Sequence, residues 1–225
     1  MLFYDNTMVV LLPAIIISGL AQLKIKSSFS KYSKVNSANG YTGEKVARML
    51  LDDAGLFDIP VEIVGGKLTD HYDPSKRVMR LSKEVYNGTT VAAIGVAAHE
   101  TGHALQDKEK YAPLKIRNAI VPAVNFSSNA SWLLFLIGII LSVPSLVNIG
   151  IILFSAVVVF QLITLPVEFN ASSRALTILE SKSILYGDEI KGAKAVLSAA
   201  AMTYVAATLM AVSQLIRLVL LSRDR

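Results

Sequence analysis

The stretch VAAIGVAAHETGHALQD, residues 91–107, carries two of the chain's three histidines, four residues apart, with Glu100 directly after the first. Its first eight residues are small and apolar and carry no charge. That composition predicts a helix packed closely against its neighbours, with Thr89 or Thr90 as its N-cap. On a helix, residues i and i+4 lie on one face, so His99 and His103 can aim their rings at one point. Gly102 costs about 1 kcal/mol of helix propensity relative to alanine. A close approach by substrate or by another backbone would account for it. A solvated helix face that happens to carry two histidines is the plainer reading, and the apolar run before the motif argues against it.

The pattern His99-Glu100-x-x-His103 is the H-E-x-x-H arrangement of zinc metalloproteases. Zinc takes imidazole nitrogens at about 2.0–2.1 Å, and a catalytic site uses three protein ligands and keeps a fourth position for water. Glu100 can lie beside that water and move its proton. Cysteine is absent from the 225 residues, so disulfides and thiolate zinc sites are excluded and any metal needs His, Asp or Glu.

Composition places the motif in a membrane protein. Hydrophobic residues make up 53% and charged residues 17%, against the usual quarter for soluble chains. Mean hydropathy is +0.51. The net charge of +5 is spread along the chain with few aromatics beside it. Basic loops flanking membrane spans explain that better than a nucleic-acid footprint, so no nucleic-acid partner is expected.

Three uncharged runs organise the chain: Asn6–Leu23 (18 residues), Asn118–Val167 (50 residues) and Ala195–Ile216 (22 residues). The first is just long enough to cross a bilayer core and lacks the basic start and cleavage site of a signal peptide, which predicts a retained anchor over 1–23. The second is too long for one span. The SVPSLVN signal at 142–148 divides it into a hairpin within 118–167, with helices at about 126–141 and 149–166. The third reads as a fourth span or a buried helix, within a C-terminal segment 195–225.

The polar segment 24–117 is large enough for a small α+β catalytic unit. Thr42 caps a helix that ends at Gly55, and VEIVGG and VMRLS read as short strands. The expected fold is therefore mainly α: a polytopic membrane protein with 3–4 transmembrane helices and a small zincin-like α+β domain at the cytoplasmic face. Segment 24–117 holds 15 Lys and Arg, and the second polar segment, 168–194, carries Arg174, Lys182, Lys191 and Lys194. By the positive-inside rule both face the cytoplasm, while the N-terminal MLFYDNT has no Lys or Arg and lies outside. The expected location is the cell membrane, multi-pass, with the lipid bilayer as a partner.

The third metal ligand is open on spacing alone. His71, in LTDHYDP, is one candidate. The Asp and Glu residues are the others, and Glu168, in LPVEFNAS, is the most suggestive: it is the first charge after the 50-residue uncharged run, and a lone carboxylate there needs a partner. Its plainer role is an interfacial carboxylate paired with Arg174. Asp70, His71, Tyr72 and Asp73 read as a turn before Pro74, or as an edge strand beside a cleft. In the second case an extended substrate pairs with the strand, and His71 or Tyr72, or else Arg174, stabilises the oxyanion.

AAHETGHALQ, LTDHYDP with the downstream RLS, and LPVEFNAS together resemble the bacterial neutral zinc metallopeptidases of the YugP type, over most of the chain from about Lys31 to Ala201. That family is similar in outline to the heat-shock-type membrane proteases and the CAAX-prenyl proteases, both gluzincins. The resemblance implies a zinc ion held by His99, His103 and Glu168, with Glu100 as general base, acting on peptide or membrane-protein substrates. The relatives' E-x-x-A-D motif would put an aspartate at Ser172. A serine can still hydrogen-bond a ligand histidine, without the charge. A non-catalytic membrane scaffold with a structural metal site, or a metal transporter or sensor, leaves Glu100 without a purpose. A transporter would also place charges in mid-membrane, where the uncharged runs have none.

Overall fold

The charge pattern fixes where helices can be apolar all round and where they must be amphipathic, and the computed structural model follows it. Residues 6–223 are described; the MLFYD terminus, which entered the charge reading, lies outside them. A 3-10 turn, Asn6–Leu11, leads into α1 (Leu12–Tyr32). Then follow α2 (Gly43–Asp53), β1 (Val61–Val64), β2 (His71–Asp73), β3 (Val78–Ser82), α3 (Lys83–Tyr86) and α4 (Val91–Lys108). The chain closes with α5 (Ala112–Ile140), α6 (Pro144–Ser181) and α7 (Asp188–Arg223). Among the described residues, four helices are long and apolar enough to cross a membrane: α1 with its leading turn, α5, α6 and α7. The protein is mainly α, with one small sheet.

The chain divides into two compact units. One comprises Leu23–Leu114 and Val167–Ala201, and holds the motif helix α4. Thr42 caps α2 by accepting from the Lys45 N–H at 3.1 Å, and Thr90 caps α4 by accepting from the Ala93 N–H at 3.3 Å. The α2 helix ends at Ala54, and Gly55 takes a positive φ of 69°. Leu51, Ile59, Met79, Leu81 and Ala97 form a core joining α2, the sheet and α4. On the other side of α4, Val91, Ile94 and Ala98 pack against Ala175 and Leu179 of α6 and Ala193 and Leu197 of α7. The α4 helix is therefore buried on two sides, which is why its first half is small and uncharged.

The sheet order is β1-β3-β2. β1 runs parallel to β3, and β2 antiparallel to it, pairing Tyr72 with Met79. LTDHYDP thus supplies an edge strand and not only a turn. Asp70 secures it, accepting from the Ser82 N–H at 2.7 Å at the far end of β3.

The second unit comprises Met1–Gln22, Lys115–Pro166 and Met202–Arg225. Its hairpin turns where the Ser-Pro-Ser signal lies: Ser142 takes φ 57° and Pro144 opens α6. Gly138 and Gly150 let α5 and α6 approach, since a Cβ on Gly150 would lie 2.8 Å from the Ser131 carbonyl. Phe135, Val147 and Leu218 are buried together there.

Two boundaries differ from expectation. The hairpin helices are longer than 126–141 and 149–166, and α6 does not stop at Pro166 but continues to Ser181. A proline removes one N–H, leaving a single carbonyl of the previous turn to be satisfied otherwise, and apolar helices tolerate this. Glu168, expected in a helix or loop over 168–194 that supplies a metal ligand, therefore lies within α6 itself, continuous with the second hairpin helix. The third uncharged run is likewise the middle of a 36-residue helix, α7.

Candidate metal centre

The α4 and α6 helices meet through Gly102. A Cβ built there would lie 2.6 Å from the carbonyl oxygen of Ala171, inside any allowed contact. Only a glycine admits this approach, which explains its presence in mid-helix. The face of α4 that carries His99 and His103 is thereby turned to the face of α6 that carries Glu168. His99 Nε2 lies 3.3 Å, and His103 Nε2 3.6 Å, from Oε2 of Glu168. The two rings stand at 86° with centroids 4.7 Å apart, so their nitrogens converge edge-on. Glu168 is 4% exposed and His103 8%.

The donor set fits a divalent ion. One ligand atom from each of the three residues lies within 4.8 Å of the others. A tetrahedral ion with bonds of about 2.0–2.1 Å holds its ligand atoms about 3.3 Å apart, close to the two distances seen. The Nδ1 atoms are engaged elsewhere: His99 Nδ1 lies 3.1 Å from Ser172 Oγ, and His103 Nδ1 3.0 Å from Gln106 Oε1. Both Nε2 atoms are left facing the carboxylate. Two imidazoles and a carboxylate suit zinc.

Glu100 is 7% exposed, and its Oε2 accepts the backbone N–H of Tyr72, in edge strand β2, at 3.0 Å. Burial pushes its carboxyl up to about 7; the neighbouring Glu168 and Asp70 carboxylates add to this, while His99 and the Tyr72 N–H oppose it. Such a group can both accept and release a proton near neutrality.

The remaining expected residues fall outside this cluster. Strand geometry sends successive side chains to opposite faces. Tyr72 points into the core at 8% exposure, and its hydroxyl donates to Asp107 Oδ2 at 2.9 Å. Burial and that carboxylate raise the phenol above its ordinary value. Only the Tyr72 backbone reaches Glu100. His71 is exposed, with Nδ1 2.7 Å from the Thr69 carbonyl. The expected oxyanion role for the His71 or Tyr72 side chain therefore has no support in these contacts. Arg174 pairs with Glu109 at 2.7 Å and donates to Asn170 Oδ1 at 2.7 Å. Glu168, read in the sequence as a possible interfacial partner of Arg174, faces the two histidines.

Sequence reasoning missed Gln106 and Asn170. Gln106 is fully buried; its Nε2 lies 2.8 Å from the Val167 carbonyl and 2.9 Å from Asn170 Oδ1. The available signal was its place three residues after His103, on the same helix face.

The helix contact yields a test that touches no ligand. Gly102→Ala is expected to push α6 off α4 by the Ala171 carbonyl and to weaken zinc binding at least about tenfold, the loss typical when the shell around a metal is disturbed. Metal competition titration of the detergent-purified chain measures it; unchanged affinity would remove the close approach as the cause of the geometry.

The comparisons name a zinc family. The family described as "Putative neutral zinc metallopeptidase" matches residues 7–223. A curated relative, "Putative membrane protease YugP" of Bacillus subtilis (strain 168), is 55% identical over 205 residues, covering 91% of each chain. No solved structure matches the chain. With nearly its full length matched and more than half of its aligned residues identical to that relative, the chain belongs to this zinc metallopeptidase family.

Proposed function

We propose that the protein is a membrane-embedded zinc metallopeptidase that cleaves peptide bonds with water, using Glu100 as general base. The observation that carries this is the convergence of His99 Nε2 and His103 Nε2 on Glu168 Oε2, at 3.3 and 3.6 Å, with the buried Glu100 carboxyl on the residue next to His99. His99, His103 and Glu168 hold the metal. Zinc at that position supplies the Lewis acidity that makes water a nucleophile near neutral pH and polarises a carbonyl. Glu100 takes the proton that the water gives up and returns it to the departing nitrogen. Ser172 and Gln106 orient the two rings through Nδ1.

Substrate recognition rests on the sheet. Among the described strands β2 pairs with β3 alone, an edge position that suits strand addition by an extended peptide once Glu100 releases the Tyr72 N–H. Tyr72 belongs to that strand and gives its N–H to Glu100, which ties the base to the strand that would receive substrate. The substrates are peptide or membrane-protein segments. The site faces the cytoplasm, a reading supported by the Lys and Arg of 24–117 and 168–194.

Metal content and hydrolysis of an unfolded model protein separate the roles. Glu168→Gln is expected to lose zinc, by about tenfold or more in affinity. Glu100→Gln is expected to keep zinc and slow hydrolysis about 10²–10⁴-fold. A Glu100→Gln enzyme as fast as the wild type would end the general-base assignment. Because the chain has no cysteine, sidedness can be read from one introduced thiol. Lys67→Cys, in an exposed loop, is expected to resist a membrane-impermeant maleimide in intact cells and to react after permeabilisation. Labelling of intact cells would place the unit on the outside.

A further inference from the structure

His103 can ligate through Nε2 only if its proton sits on Nδ1, and a histidine in water prefers the other form. The structure contains a chain of groups that removes the choice. Gln106 Nε2 faces the Val167 carbonyl at 2.8 Å, and a carbonyl only accepts. The same Nε2 faces Asn170 Oδ1 at 2.9 Å. That atom of Asn170 must be its oxygen, because Arg174 Nε, which only donates, reaches it at 2.7 Å. Arg174 is held in turn by Glu109 at the C-cap of α4, at 2.7 Å. The amide of Gln106 therefore cannot turn over without setting its oxygen against two acceptors in a fully buried site. Its Oε1 is committed to the His103 side, where it lies 3.0 Å from Nδ1 and can only accept.

We infer that Gln106 is a positioning residue that fixes His103 as the Nδ1–H tautomer, and that Asn170 and Arg174 fix Gln106 in turn. This rests on the zinc site proposed above and adds the group that prepares one ligand for it. The two histidines are not held alike. The Ser172 hydroxyl beside His99 Nδ1 at 3.1 Å can donate or accept, so it does not dictate a tautomer. His103 is the hard-wired ligand and His99 the adaptable one.

The test uses full-length protein in detergent, with histidine ring nitrogens labelled with ¹⁵N, stripped of metal and kept at alkaline pH so that the rings are neutral. Ring ¹⁵N shifts report the tautomer directly. Wild type is expected to show His103 protonated on Nδ1. Gln106→Met keeps the volume and removes the amide; it is expected to shift His103 towards Nε2–H and to weaken zinc binding about 10–100-fold in competition titration. Ser172→Ala is expected to leave the His103 signal unchanged. If Gln106→Met does not fold, Arg174→Met, in a partly exposed position, is expected to move both readouts in the same direction by a smaller amount. A wild-type His103 protonated on Nε2 would overturn the inference. So would zinc affinity in a folded Gln106→Met, or its stand-in Arg174→Met, that stays at the wild-type value. Neither readout involves hydrolysis: a chain that binds zinc and shows the fixed tautomer but cleaves no peptide would refute the peptidase reading alone.

Discussion

At one point in the molecule two helix backbones approach so closely that only a hydrogen atom fits between them, at Gly102 of α4 against the Ala171 carbonyl of α6. The contacts around it run in opposite senses along the two helices, from His99 with Ser172 to Gln106 with Val167, so the helices cross antiparallel. Each puts its polar residues on the facing side. Away from that seam the flanks of α4 are largely apolar, Leu179 and Leu197 on one side and Met79 and Leu81 on the other, with Tyr72 as a polar contact to Glu100 and Asp107. The site is a small polar seam in an apolar sandwich, and low dielectric there makes each hydrogen bond count for more and each missing one cost more.

Both histidines of the candidate centre have neutral partners, a hydroxyl and an amide. Carboxylate partners would make the imidazoles more basic and better charge donors. In their absence Glu168 is the only negative charge in the donor set, and more of a bound cation's charge stays on the cation. The serine at position 172 was visible in the sequence as a departure from the relatives' aspartate. The partner of the other histidine was not visible, because Gln106 and Asn170 meet through a helix crossing that no local pattern encodes.

Legibility followed the range of the interaction. Thr42, Thr90, the H-E-x-x-H spacing and the strands VEIV and VMRLS are determined within a few residues, and they could be read. Glu168 could be proposed because a lone carboxylate ends a long uncharged run, yet its place inside α6 was misread at Pro166. Local propensity treats a proline as a stop, whereas this helix continues past it. The side-chain parity of His71 and Tyr72 depends on how β2 registers with β3, and the sequence does not carry that information.

The three residues of the candidate centre flank the whole uncharged run Asn118–Val167: two histidines precede it and the glutamate follows it. During synthesis, the chain therefore exposes the histidine pair long before the residue that completes the set has left the ribosome. A nascent chain holds an imidazole pair with no carboxylate partner, and the pair gains one only when the long helix carrying Glu168 has formed and returned to α4. On the proposed ligand set, capture of the metal is a late event in biogenesis, timed by completion of the hairpin, and a chain truncated before it would be born without a complete centre.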